Sequence, residues 1–164
     1  MLKQSAERNA IVIRLARAEE SVAVAALIHR AFAPYRGTLE PEPSALSETA
    51  GSIQSAMATG TVLVAVREGL IAGCVSVRRR GDSMYAGRLS VDATARGVGI
   101  GAALMADVER LARQSGAARV RVDVRLALTG NRAFFRRLGF AEGRRRCHPG
   151  FTSPTYVELE KILV

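Results

Sequence analysis

Hydrophobic and polar positions along the first third of the chain predict one strand and two amphipathic helices. Residues 11–15 are rich in β-branched side chains and predict an opening strand. Apolar residues recur at helical spacing over residues 24–32, which predicts a helix that Pro34 ends. A second helix is predicted over residues 44–59, with Gly60 at its end.

The middle of the chain predicts three strands in succession. Residues 62–67 and 70–77 are strand patterns joined by a Glu-Gly pair, a two-residue link that is typical of a hairpin. Residues 78–83 are predicted to form a polar turn, and residues 84–91 a third strand. Because these links are short, the three strands are expected to be antiparallel.

The last part of the chain mixes helical and strand patterns. These are predicted over residues 97–114 (helix), 120–124 (strand), 131–138 (helix), 140–144 and 155–162 (strands). Gly116 and Gly139 are expected to close the two helices. Because a crossover helix joins the strand over 84–91 to the strand over 120–124, those strands are predicted to be parallel neighbours.

These elements together predict a mixed α/β fold, with a mostly antiparallel sheet of about six to seven strands, one central parallel pair and about four flanking helices. A length of 164 residues suffices for one domain, so residues 1–164 are expected to be a single domain. The chain starts without the apolar run of a secretion signal, and its apolar stretches are too short to span a membrane. A cytoplasmic protein without membrane partners is therefore expected. Cys74 and Cys147 are too few for a disulfide framework or a zinc site, so no metal is expected.

The chain carries an excess of positive charge that favours an anionic partner. Its formal net charge is +9, from 24 Lys and Arg against 15 Asp and Glu. Nucleic acid, a membrane surface and a polyphosphate cofactor would all satisfy such an excess. The chain has neither an aromatic-interleaved basic sheet nor a recognition-helix signature, so a nucleic-acid partner is not favoured.

The segment Arg96-Gly97-Val98-Gly99-Ile100-Gly101 lies at the predicted junction of a strand and a helix. Its three glycines would let a ligand approach the backbone closely. The amides of a first helical turn lack partners within the helix, and with the helix dipole they form a phosphate site. Arg96 adds a charged donor. The alternative is a tight turn in which the glycines merely permit close packing.

Three phosphate-binding devices compete for this segment. A P-loop is excluded because its Gly-Lys-Ser/Thr end is absent. A dinucleotide-binding turn is closer, since Gly97, Gly99 and Ala102 fit its spacing and Asp123 could serve as its ribose-binding acid. Two observations disfavour it: residues 92–96 separate the glycines from the strand, and the preceding strands form an antiparallel meander.

The third device is that of the GNAT superfamily of acyl-CoA-dependent N-acetyltransferases, which this sequence resembles over nearly its whole length. The family's Arg/Gln-x-x-Gly-x-Gly/Ala motif is matched by Arg96, Gly99 and Gly101, and residues 89–91 resemble its strand ending in Leu-x-Val. A second family block, Asn followed by Ala-x-Phe-Tyr and Leu-Gly-Phe, is matched by Asn131, Ala133, Phe134, Phe135, Leu138, Gly139 and Phe140.

The resemblance implies a fold, a co-substrate and a set of residues that bind it. The two parallel strands would splay apart, and the pantetheine arm of acetyl-CoA would lie between them. Backbone groups of Leu89 and Val91 would bind that arm, the amides of residues 96–102 would bind the pyrophosphate, and Asn131 would contact the arm from the other side. The cofactor-binding residues so implied are Leu89, Ser90, Val91, Arg96, Gly97, Val98, Gly99, Ile100, Gly101, Ala102, Asn131, Phe134 and Arg137.

The implied activity is transfer of the acetyl group to a primary amine of a small molecule, peptide or protein, by direct attack in a ternary complex. Two catalytic groups common in the family are missing. The tyrosine that usually acts as the acid is replaced by Phe135, and the glutamate base of the histone-modifying branch is replaced by Tyr85. The alternative function is therefore an acetyl-CoA-binding module with weak or no transferase activity. Many relatives of this fold are dimers, so a homodimer is a further expectation.

Other side chains could replace the missing groups. Tyr156, His148 and Tyr85 are the predicted catalytic residues, with Tyr35 and Cys147 as further candidates. His148 titrates near neutrality, but it could equally be a loop histidine beside Pro149-Gly150. Tyr35 and Asp123 are predicted to bind the acceptor. Asp123 could instead pair with Arg121 or Arg125.

Overall fold

The computed structural model describes residues 10–164, which form a mixed α/β structure around a seven-stranded sheet of order β1-β2-β3-β4-β5-β7-β6. Its strands are β1 Val12–Leu15, β2 Thr61–Arg67, β3 Leu70–Arg80, β4 Ser83–Val91, β5 Arg119–Arg125, β6 Ala141–Arg146 and β7 Tyr156–Ile162. Its α-helices are α1 Ser21–Phe32, α2 Ala50–Thr59, α3 Ile100–Gln114 and α4 Thr129–Arg137. Within the described chain only β4 and β5 pair in parallel, which confirms the predicted fold class.

Strand β2 is buried on both faces because helices cover the sheet from two sides. Val62 and Val64 belong to one core cluster with Leu27 and Ile28 of α1. The alternate residues of β2, such as Leu63, belong to the second cluster, which is formed with α3 and α4. Side chains alternate across a strand, so a strand covered on both faces has a continuous apolar run rather than an alternating one.

Strand β5 is covered on one face only. Val120, Val122 and Val124 are buried in the core cluster that includes α3 and α4. The alternate residues, from Arg119 to Arg125, lie on the opposite face, where no residue of that core covers them. The predicted alternation of apolar and charged residues along this strand is confirmed. This arrangement leaves charged side chains available beside the parallel strand pair.

The prediction of one helix over residues 44–59 is wrong for its first six residues. Ser44–Ser47 form a single 3₁₀ turn, and Glu48 is extended before α2 begins. Thr49 caps α2, since its hydroxyl accepts from the Ser52 N–H at 3.1 Å and its own N–H donates to the Ser52 hydroxyl at 2.9 Å. Such a reciprocal cap fixes the helix start and leaves Glu48 outside it.

The prediction of a polar turn over residues 78–83 is also wrong. The three arginines continue β3, where Arg78 lies opposite Tyr85 of β4, and Gly81-Asp82 make the turn. The guanidinium of Arg80 lies 4.0 Å from the centre of the Tyr85 ring, and that of Arg78 lies 5.7 Å from it. Stacking on an aromatic ring offsets the weak strand preference of these charged residues.

Gly60 ends α2 as predicted, in an extended conformation. A glycine is needed there because the backbone of β3 passes close to it. A Cβ there would lie 2.4 Å from the carbonyl oxygen of Val77. We therefore expect Gly60→Ala to lower the free energy of unfolding by about 1–3 kcal/mol, as overpacking does. Chemical denaturation measures this loss. Gly51→Ala is the control, because the nearest atom to its Cβ lies at 3.7 Å. Equal stability of the two variants would contradict the explanation.

Candidate active site

The parallel strands β4 and β5 pair only at their first residues. Ser83–Tyr85 lie opposite Arg119–Arg121, and beyond these three pairs neither strand pairs with the other. β4 nevertheless continues to Val91 and β5 to Arg125. Their unpaired backbone groups require other partners, so the gap between the strands can take an extended ligand as an added strand.

A β-bulge in β4 borders this gap. The register with β3 shifts where Cys74 lies opposite Ser90 and Ser76 opposite Gly87, and Arg88 within the bulge has φ of +56°. A left-handed conformation is uncommon for a residue with a long side chain and persists when its surroundings hold it.

Hydrogen bonds of the Arg88 side chain stabilise this conformation. Its Nε donates to Glu48 Oε1 at 2.6 Å, and its Nη2 donates to the hydroxyl of Ser44 at 3.0 Å. Burial opposes the charge of Glu48, but hydrogen bonds from Ser52 and Arg88 outweigh it and lower the pKa of the carboxyl. The bulge is thus tied to the segment between α1 and α2.

The glycines before and within α3 serve two different purposes. Gly97 and Gly99 have φ of +81° and +88°, and no atom lies within 4 Å of a Cβ built on either, so this backbone is open. Gly101 instead permits close helix packing, because its Cβ would lie 3.1 Å from Cζ of Phe134. The helix starts at Ile100, three residues later than predicted, since the left-handed glycines precede it.

The start of α3 fits a phosphate group. The helix ladder begins with the N–H of Ala103 donating to the Gly99 carbonyl at 2.9 Å, so the preceding amides have no partner in the helix. Ile100 is buried in the core, and only its backbone can contribute. Val98 and Arg96 are exposed beside these amides. Open backbone, unpaired amides and a cationic neighbour are the features that anion sites at helix starts share.

The remaining predicted cofactor residues lie on both sides of the gap. Leu89 and Val91 are half-buried on β4, whereas the Ser90 hydroxyl is buried and donates to the Arg88 carbonyl at 3.0 Å. Asn131 is exposed in the first turn of α4, which follows β5 as α3 follows β4. Arg137 is exposed in the last turn of α4, about 9 Å further along the helix axis than Asn131.

A cavity of about 610 Å³ lies against the sheet at the point where β4 and β5 part. It brings together the three predicted catalytic residues Tyr85, His148 and Tyr156 with the predicted acceptor residue Asp123. Tyr35 does not line it. The ring of Tyr35 packs edge-on against Phe32 with 6.0 Å between centres. The cavity therefore gathers residues from distant parts of the chain beside the strand gap.

Tyr85 and Asp123 form a hydrogen-bonded pair across the two parallel strands. The Tyr85 hydroxyl donates to Asp123 Oδ2 at 3.3 Å. Burial raises the pKa of Tyr85 to about 12, and the Asp123 charge adds to that shift. Burial likewise raises the pKa of Asp123. The carboxylate thus occupies the neighbourhood of Tyr85, the position at which the histone-modifying relatives carry their base.

The hypothesis that Asp123 pairs with Arg121 or Arg125 is wrong. Arg121 pairs with Glu158 at 2.8 Å, and Arg125 donates to the backbone carbonyl of Pro41 at 2.6 Å. Among the described residues no Lys, Arg or His nitrogen lies within 4.0 Å of the Asp123 carboxylate. Asp123 is therefore available to a cationic ligand.

His148 is held by Thr155 on the loop before β7. Its backbone N–H donates to Thr155 Oγ1 at 2.9 Å, and its Nδ1 lies 2.5 Å from the same oxygen. The ring packs edge-on against Tyr156 with 4.9 Å between centres. Burial lowers the pKa of His148 and the charge of Arg125 lowers it further, against a smaller opposing effect of the Asp123 charge, so the surroundings favour the neutral imidazole.

Phe135, the residue at the family's usual acid position, is 7% exposed and packs in the core. Its ring lies edge-on to Phe134 and Phe140, with centres 5.1 and 5.5 Å away. Sequence analysis also missed Glu48, Arg88 and Arg125. No local pattern indicates that residues 40 positions apart, such as Glu48 and Arg88, form an ion pair.

The described residues contain neither a metal-binding cluster nor a membrane-spanning helix. Within residues 10–164 no cluster of three or more His, Cys, Asp or Glu side chains could hold a metal ion. None of the helices in that range combines the length and apolar character needed to cross a membrane.

Solved structures with the same fold include several acetyltransferases. PaiA N-acetyltransferase from Thermoplasma acidophilum, in complex with coenzyme A, aligns with a TM-score of 0.78 and 16% identity over 94% of this chain and 99% of its own. The ribosomal-protein-alanine N-acetyltransferase from Brucella melitensis aligns with a TM-score of 0.69 and 24% identity over 93% and 99%. YncA from Salmonella typhimurium, solved with its cofactor acetyl-CoA, aligns with a TM-score of 0.71 and 16% identity over 95% of each chain. At these identities the likeness establishes the fold.

The sequence itself establishes the family. No relative was found among curated proteins. Residues 23–140, however, match the acetyltransferase (GNAT) family, and this range includes the strand gap, the glycine-rich turn and most of the cavity wall. The chain belongs to the GNAT family of acetyltransferases.

Proposed function

We propose that this protein transfers the acetyl group of acetyl-CoA to a primary amine of a small molecule, peptide or protein, by direct attack in a ternary complex. One observation carries the proposal. The carboxylate of Asp123, which forms no ion pair, and the imidazole of His148, whose pKa is lowered by burial, line a single cavity that meets the gap between β4 and β5. Membership of the family and the coenzyme A and acetyl-CoA complexes of structural neighbours support the choice of donor.

On the donor side, the amides from Gly97 to Ala102 and the Arg96 guanidinium would bind the pyrophosphate. Backbone groups of Leu89 and Val91 on one strand, and Asn131 beyond the other, would hold the pantetheine arm in the gap. The thioester would then lie where the strands part, beside Gly87 and Tyr85 at the cavity wall.

On the acceptor side, an amine with a pKa of about 10.4 arrives as an ammonium and must lose a proton before it can attack. Asp123 would attract and orient that ammonium, while the Tyr85 hydroxyl holds the carboxylate. His148 would take the proton, directly or through a water, because burial lowers its pKa and so favours the neutral imidazole that can accept one. The amine nitrogen then bonds to the acetyl carbon as the carbon–sulfur bond breaks.

The leaving thiolate depends less on proton transfer than the attacking amine does. A thiol of pKa about 8.5 leaves tolerably well as its anion, which explains how a family member can carry Phe135 at the usual acid position. Tyr156 lines the same cavity as His148 and is the proposed proton donor to the thiolate. Tyr85 is less suited to that role because burial raises its pKa to about 12.

The pH profile of the turnover tests His148. Since the charge of Arg125 lowers the pKa of His148, Arg125→Gln should raise that pKa and move the acid limb of kcat to higher pH. The limb should move in this direction because the base then protonates earlier as the pH falls. Arg144→Gln, an exposed change outside the cavity, is the control. An unmoved limb in Arg125→Gln would exclude His148 as the base.

Thiol release from acetyl-CoA against a panel of amines tests the proposal as a whole. Turnover that requires an amine establishes a transferase and identifies its acceptor group. The buried, hydroxyl-free Phe135 favours a second candidate, an acetyl-CoA-binding module with weak or no transfer. Tight binding of acetyl-CoA by calorimetry, without amine-dependent thiol release, would support that candidate.

A further inference from the structure

The cavity contains a carboxylate and a guanidinium that form no ion pair with another residue of the described chain. In the described chain neither Asp123 nor Arg125 forms an ion pair within 4.0 Å, whereas Arg88 in the same wall is paired with Glu48 at 2.6 Å. Arg125 is half-buried, and keeping its charge partly out of water without a counter-ion is unfavourable. A ligand with both signs of charge would compensate the two groups at once.

The guanidinium of Arg125 is already positioned to bind a negatively charged group of such a ligand. Its side chain is half-buried, and its Nη2 donates to the carbonyl oxygen of Pro41 at 2.6 Å, which fixes the guanidinium against the segment before α2. A guanidinium has five N–H donors in a planar fork, so most of them remain for a carboxylate. Burial lowers its pKa, yet an arginine stays charged at pH 7.

The positions of the two residues suit one small molecule. Asp123 and Arg125 are alternate residues of β5, so their side chains leave the same face of the strand, from backbone positions about 7 Å apart, and both line the cavity. The cavity volume of about 610 Å³ is in the range of small-molecule sites. Bonds from Arg125 to Pro41 and from Arg88 to Ser44 hold the segment between α1 and α2 against the cavity and limit its size.

We infer that the acceptor is a small zwitterion of the amino-acid type, whose ammonium binds Asp123 while its carboxylate binds the Arg125 guanidinium. This inference rests on the proposed function and narrows its acceptor. It predicts that the carboxylate of the acceptor contributes to recognition although it takes no part in the transfer.

The test is calorimetric binding in the presence of coenzyme A, which requires no turnover. The common L-amino acids are compared with their C-terminal amides, which keep the amine and lose the negative charge. We expect at least one acid to bind about 10- to 100-fold more tightly than its amide. Arg125→Gln should abolish that preference by weakening the acid and leaving the amide within about threefold.

Two further variants test whether the preference for the acid depends on the guanidinium of Arg125. Arg125→Lys keeps the charge without the planar fork and should retain part of the preference. Arg144→Gln should leave it unchanged. The inference is overturned if amides or polyamines bind as well as the acids, if a peptide with a free amino terminus binds more tightly than any amino acid, or if Arg125→Gln keeps the preference. Failure of the proposed function is a separate outcome: acids bind with the expected preference, but no thiol is released.

Discussion

Replacing Asp123 by asparagine is expected to lower kcat/KM for the amine by about 10²- to 10⁴-fold, the range that general acid–base and charge contributions span. Asparagine has nearly the same shape and can still accept the hydrogen bond from Tyr85 that the carboxylate accepts at 3.3 Å. What the variant loses is the negative charge that attracts the ammonium and stabilises positive charge beside His148 as the proton moves. Thiol release at saturating acetyl-CoA, with the amine varied, measures the effect.

Two comparisons make this result specific to the acceptor. Asp123→Asn should bind coenzyme A like the wild type, because Asp123 is on the cavity side and not in the glycine-rich turn. Glu160→Gln should keep kcat/KM within about threefold, since that carboxylate lies on the neighbouring strand, pairs with Arg119 at 3.3 Å and does not line the cavity. An Asp123→Asn enzyme as active as Glu160→Gln would remove Asp123 from the mechanism.

Gly99→Asp is expected to weaken coenzyme A binding by about 100-fold or more. The backbone at Gly99 has φ of +88°, a conformation that aspartate tolerates better than most residues. Its carboxylate would sit at the start of α3, where it can accept from the same amides as a phosphate and repel one. Losing a single charge-assisted hydrogen bond costs about 1.5–3 kcal/mol, so competition for several amides accounts for the expected loss. Calorimetry with coenzyme A measures it.

Gly116→Asp is the matched control at the other end of the same helix. Gly116 also has positive φ, +69°, and open space around its Cβ, so the two variants carry a similar backbone cost. Gly99→Asn introduces a side chain of nearly the same shape as Gly99→Asp but without its charge. Its affinity for coenzyme A should fall between those of the wild type and Gly99→Asp. If Gly99→Asp binds coenzyme A as tightly as Gly116→Asp does, the start of α3 is not the phosphate site.

The fold was predictable because the pattern of burial repeats locally. Residues 120–124 alternate apolar and charged, and the structure buries only the apolar set. The Glu68-Gly69 pair predicted a hairpin, and both residues have positive φ as that turn requires. The predicted elements were wrong where contacts with other elements determine the local backbone structure. Arg78 to Arg80 form strand because β4 and the Tyr85 ring lie beside them, and Glu48 leaves the predicted helix to bind Arg88.

The sequence by itself determined the fold class, and it was enough to propose the donor half of the site, because the glycine-rich turn and the helix start that would hold phosphates are contiguous in the chain. Only the tertiary structure brought together the residues of the proposed acceptor half. Glu48 precedes α2, Tyr85 is on β4, Asp123 and Arg125 are on β5, and His148 is on the loop before β7. They meet because the sheet places β4 beside β5 and the loop before β7 over both. Whether Asp123 is paired or available depends on distances between side chains far apart in sequence, and a one-dimensional pattern contains no such distances.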